Sequence, residues 1–193
     1  MAALTLRRTV VVVAFLNLAY FGVEFAVARA IGAVSLFADS IDFLEDASVN
    51  LLIALALGWS ARRRAAVGSL LALILLVPGL ATLVTAWQKL QLPIAPDAAL
   101  LGATGVGALV INVACALLLA RVRGGAGSLS QAAFLSARND AIANIAIVVA
   151  GGATALAGNA WPDLVVGLAI AALNAGAARE VWRAAREERR AAS

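Results

Sequence analysis

From residue 9 onward the chain alternates between long apolar runs and short polar breaks. The runs fall at about 9–30, 34–59, 68–90, 97–120, 130–156 and 161–183. A helix needs about 20 largely apolar residues to cross about 30 Å of hydrocarbon, and each run reaches that length. None alternates apolar and polar positions at period two, so strands of the outer-membrane barrel kind are excluded. The pattern predicts an all-α integral membrane protein, a six-transmembrane-helix bundle forming a single domain over residues 1–193.

Chain-breaking residues fall between these runs. "QLPIAPD" (91–97) separates the third from the fourth, and "RVRGGAGSLS" (121–130) the fourth from the fifth. "GNAWPD" (158–163) opens the sixth, with Pro162 suited to a first helical turn. Pro78–Gly79 lies inside the third run and predicts a kink there.

Composition strengthens the membrane reading. Hydrophobic residues make up 63% of the chain and charged residues 13%, against about 25% charged in ordinary soluble domains. The basic residues then set an orientation. Arg7, Arg8, Arg62, Arg63, Arg64, Arg121, Arg123, Arg179, Arg183, Arg186, Arg189 and Arg190 all fall at alternate connections, on one side of a six-span bundle. Arg29 and Lys89 belong to the other side, and Arg138 lies within the fifth run. The positive-inside rule places both termini in the cytoplasm. The net charge of +4 is spread over short turns and a tail, which suits anionic headgroups of the lipid bilayer and not nucleic acid.

Two N-terminal and thiol signals change little. The first run ends in an Ala28-Arg29-Ala30 imitation of a signal cleavage site, but it is too long for a signal peptide and contains Asn17 and Glu24. The lone Cys115 reads as a small buried hydrophobe. There is no histidine in the chain.

The candidate chemistry lies in "LFADSIDFLEDASVN" (36–50), which sets Asp39, Asp42, Glu45 and Asp46 amid apolar sequence. At about 100° per residue, Asp39, Asp42 and Asp46 share one helix face, with Glu45 turned away. A carboxylate at bilayer depth costs several kcal/mol unless it is neutralised, reaches water or meets a cation. Asp42 and Asp46 are one turn apart and present two carboxylates to one divalent ion, if a second helix completes the shell. The fifth run offers its one acid, Asp140, with Ser136 four residues before it and Asn144 four after. Asp39 reads either as part of this face or as a helix-end residue at the outer interface. Glu24 and Asn17 read as second-layer polar groups, and Asn112 and Asn174 as packing glue.

"AVSLFADSIDFLEDASVNLLIALAL" resembles the second transmembrane helix of the cation diffusion facilitator family, with its small-Ser-x-Leu-x-Ala-Asp-x-x-(His or Asp)-x-x-x-Asp pattern. "LNLAYFGVEFAVARAIGAVS" is similar to that family's first helix, "SARNDAIANIAIVVAGG" to its fifth and "WPDLVVGLAIAALNAGAAREVWRAARE" to its sixth. The resemblance implies that Asp42, Asp46 and Asp140 bind metal. It also puts Ser136 where the family usually has His or Asp. The fourth ligand is then Ser136, Asn139, Asn144 or a water. The family's commonest substrate, zinc, is the expected cargo; an all-oxygen shell suits manganese or iron better than a histidine-bearing one does, and cadmium belongs to the same set.

Family members usually carry a soluble cytoplasmic domain after the sixth helix and a histidine-rich loop before the fifth. The chain is therefore expected to be a transmembrane-only member, forming any homodimer through its membrane helices. Gly167, Ala171 and Ala175 make a small-residue stripe suited to close packing within a protomer.

The expected function is secondary transport: divalent cations leave the cytoplasm in exchange for protons, which occupy the acids when the metal does not. No cofactor is expected, and the location is a multi-pass membrane one, the cell inner membrane if the source is bacterial. A nucleotide-driven pump is excluded because no GxxxxGK[ST] loop occurs. An intramembrane aspartyl hydrolase would need a Gly-x-Gly-Asp signature that is absent, so no enzyme is expected. The remaining rivals are a carrier of another solute and a membrane assembly subunit.

Overall fold

A computed structural model describes residues 2–56, 80–122 and 127–173, with side chains from 6–56, 80–122 and 137–173. These residues form six helices and no strand: α1 (Ala2–Ile31), α2 (Val34–Ala56), α3 (80–91), α4 (Ala98–Ala120), α5 (Gly127–Ala157) and α6 (Trp161–Leu173). Leu6–Ile31, Ala98–Ala120 and Ala137–Ala157 are long and apolar enough to cross a membrane. α2 matches them in length but carries the four acids. The kink expected at Pro78–Gly79, the arginines at 62–64 and the tail beyond Leu173 lie outside the described residues.

Local sequence explains the helix ends. Gly32 adopts φ of 63°, the left-handed region that glycine enters without penalty, and Ala33 N–H donates back to Ala28 O at 3.0 Å. This closes α1 and lets α2 start two residues later, antiparallel to it. Asp97 caps α4, its side chain accepting from Leu100 N at 2.8 Å. Pro162 occupies the first turn of α6, as its missing N–H allows.

Helices α1, α2, α4 and α5 form the bundle, with α1 against α2 and α4, and α5 against α4 and α2. Their outward faces are apolar: Phe15 is 67% exposed and Val149 64%, which a soluble surface would not tolerate in such number. Inside, two apolar clusters lie near opposite ends of the bundle. One gathers Leu6, Val10, Val13, Ile53, Ala54, Cys115, Leu119 and Ala137. The other gathers Ala28, Ala33, Leu36, Phe37, Leu101, Ile147 and Ile170 beside the α1–α2 turn. Polar residues fill the space between.

The start of α2 is clasped by α6. Buried Asp163 accepts from Val34 N at 2.9 Å, Ser35 N at 3.0 Å and Ser35 Oγ at 2.6 Å, so an acid neutralises the unpaired donors of a helix N-terminus. One turn on, Gly167 lies so close that a Cβ there would sit 2.7 Å from Ser35 N. The small residue expected for close packing is used against α2 of the same chain. Lys89 of α3 adds a bond to Gly32 O at 2.7 Å. Replacing Asp163 with Ala strips three hydrogen bonds from buried donors. We expect Asp163→Ala to lower stability by about 2–4 kcal/mol, read as a reduced Tm of the detergent-solubilised protein; an unchanged Tm would refute the clasp.

Candidate functional site

The polar interior has two levels, and measuring along the helix axes locates them. At 1.5 Å per residue, Glu24 lies about 10 Å from the end of α1, and Asp39 about 8 Å from the start of α2. They are neighbours, and their carboxyl groups face each other within hydrogen-bonding reach. Asn144 of α5 donates its Nδ2 to Asp39 Oδ2, and Asn112 of α4 donates its Nδ2 to Asn144 Oδ1 at 2.9 Å. Glu24, Asp39 and Asn144 are 0% exposed. One polar chain thus joins all four bundle helices, with Asn144 both donating and accepting.

The second level lies deeper. Asp42 and Asp46 are about 12 and 18 Å from the start of α2. Asp42 is half-buried, and among the charges acting on it that of Asp140 is the largest, ahead of Asp39, Glu45 and Asp46. Asp140, also half-buried, therefore looks across from α5 at the acidic face of α2. Cys115 of α4 lies in the field of both Asp46 and Asp140, and its thiol approaches Asn17 Oδ1 of α1 at 3.7 Å. Asn50 Nδ2 bonds Asp46 O at 2.8 Å one turn along α2.

Among the expected site residues, Asp42, Asp46 and Asp140 share this neighbourhood, and Asn17 reaches it through Cys115. Asp39 is fully buried and bound to Asn144. Asn139 turns outward, exposed, and accepts from Arg138 at 3.3 Å. The side chain of Ser136 lies outside the described residues. Among the described residues, no group of three His, Cys, Asp or Glu is arranged to hold a metal ion. The acids approach one another without forming a finished shell.

Three participants escaped the sequence pattern. Cys115 looked like a plain hydrophobe, Asn112 like generic packing, and Asp163 was only part of the break that opens the sixth run. Their partners lie 98, 32 and 128 or more residues away in sequence, beyond the reach of any local period. The one available signal was polarity inside an apolar run.

A multi-pass bundle whose interior acids face each other across two helices belongs with membrane carriers of cations. Residues 10–188 match the cation efflux transmembrane domain family. The chain belongs to that family, an integral multi-pass group of membrane proteins that moves divalent cations out of the cytoplasm. No curated protein matches it.

Asn144 connects the two sides of the upper chain, so its loss leaves both Asp39 and Asn112 short of a partner. Asn144→Ala is expected to cost about 1–3 kcal/mol. Thermal unfolding in detergent measures this, and a Tm equal to that of the parent would contradict the bonded chain.

Proposed function

We propose that this protein exports zinc by proton antiport, with Asp42, Asp46 and Asp140 as ligands and Ser136 or water completing the shell. The observation that carries the reading is the opposition of Asp42 and Asp140 across α2 and α5, inside a bundle whose surface is apolar. Bare carboxylates in that setting are tolerated only with a positive partner. Metal binding needs the ionised ligands, and leaving metal returns the site to protons. Rocking of the helices exposes the site to each face in turn, so that inward proton flow drives outward metal flow.

The arginine asymmetry supports an orientation with both termini cytoplasmic. Zinc rests on the family's common substrate. A manganese- or iron-preferring carrier is the second reading, favoured by the absence of histidine, which leaves a shell of hard oxygens. Asn139, being exposed, is the weakest candidate for the fourth ligand, and Asn144 is already committed to Asp39 and Asn112. A homodimer through the membrane helices fits the apolar outer faces.

Liposomes holding the purified protein, with metal-sensitive and pH-sensitive dyes inside, test the antiport. Asp46→Ala should cut zinc flux at least about tenfold and abolish the accompanying proton flux, since one of the charged ligands is gone. Flux that persists unchanged and independent of pH removes Asp46 from the site. Ser136→His should raise zinc flux relative to manganese flux, because imidazole is a better zinc ligand than a hydroxyl; an unaltered ratio would place Ser136 outside the shell.

A further inference from the structure

Glu24 is the least compensated group in the described structure. It is 0% exposed, and neither of its carboxyl oxygens has a hydrogen-bond donor. Asp39, facing it, is equally buried, and its Oδ1 also lacks a donor while Oδ2 takes the one offered by Asn144. Two carboxyl groups within hydrogen-bonding reach have only acceptor atoms to offer each other when ionised. Leaving such groups unpaired in a low-dielectric interior costs several kcal/mol. Something positive belongs between them.

Among the described residues, no resident cation is recorded in the role. Tyr20, one turn before Glu24, spends its hydroxyl proton on Thr104 O at 2.6 Å. Asn144 and Asn112 are engaged with each other. Lys89 is held at Gly32 O, by the α1–α2 turn. A cation that binds from outside the chain meets the need.

Position then suggests its identity. Asp42 stands about 4 Å deeper along α2 than Asp39, so an ion leaving the Asp42–Asp140 face toward the α1–α2 turn meets Glu24 and Asp39 next. Between them and the turn lies the apolar cluster of Ala28, Leu36, Phe37, Leu101 and Ile147, with Ser35, Asp163 and Lys89 at the turn itself. We infer that Glu24 and Asp39 form a second cation-binding position, which receives the divalent ion between the ligands of α2 and α5 and the membrane face at the α1–α2 turn. Two carboxylates bind a divalent ion more weakly than three, and conduction through successive sites requires such weaker stations. This inference rests on the reading that the cargo is a divalent cation passing Asp42.

Zinc stoichiometry of the full chain in detergent, measured by equilibrium dialysis against saturating zinc alone, tests it. Glu24→Gln and Asp39→Asn, both close in shape to the parent, should each bind one equivalent fewer than the parent. Asp46→Asn should keep that equivalent and lose the other, and Glu24→Gln/Asp46→Asn should lose both. Reading Glu24→Gln and Asp39→Asn separately preserves the test if either one fails to fold. Parent-like stoichiometry in the folded variants means that the pair holds only a proton, and the second position is overturned. An Asp46→Asn protein that retains the parent's full zinc content would instead overturn the assignment at Asp42, Asp46 and Asp140, leaving the Glu24–Asp39 result to be read independently.

Discussion

Ionised carboxyl groups in hydrocarbon are the constraint on which this structure turns. Hydrocarbon offers neither hydrogen bonds nor dielectric screening, so every acid below the headgroups needs a partner. The bundle gives its acids an interior of their own. Glu24, Asp39, Asn144 and Asn112 link α1, α2, α5 and α4 in one chain, and Asp42, Asp46 and Asp140 continue it inward. Apolar clusters flank the chain toward both ends. The fold is thus a polar middle held by helices whose outer faces are apolar, the reverse of a soluble bundle.

Hydrogen bonds also decide how the remaining helices attach. α6 and α3 join the bundle beside the α1–α2 turn, through Asp163, Gly167 and Lys89. The Asp163 clasp works because a helix start exposes donors that a buried acid satisfies, while that helix end in turn offsets the acid's charge. Lys89 serves the same turn by donating a hydrogen bond to the Gly32 carbonyl just past the end of α1. In a bilayer, where packing apolar faces gains little over lipid, such polar joints and close glycine contacts hold helices together.

The family assignment and this geometry meet at α2. A cation efflux protein must admit a doubly charged ion to a region that repels bare charge, and acids on facing helices meet that need. The opposition of Asp42 and Asp140 is electrostatic in the described arrangement, without a closed coordination shell.

Much of this was legible in the chain. The apolar runs are governed by the length needed to span hydrocarbon, so the all-α membrane bundle follows from composition and period alone. The period of 3.6 likewise placed Asp39, Asp42 and Asp46 on one face, because that geometry is local. Sequence could not tell what Asp39 meets: its bond to Asn144, 105 residues away, is what ties it into the bundle interior. Nor could it tell that Asn139 faces outward beside Arg138, one residue from an acid that faces in. The donorless state of Glu24, the company Cys115 keeps and the Asp163 clasp depend on helices far apart in sequence. Local periodicity fixes which way a side chain points from its own helix; only the packing of helices decides what it meets there.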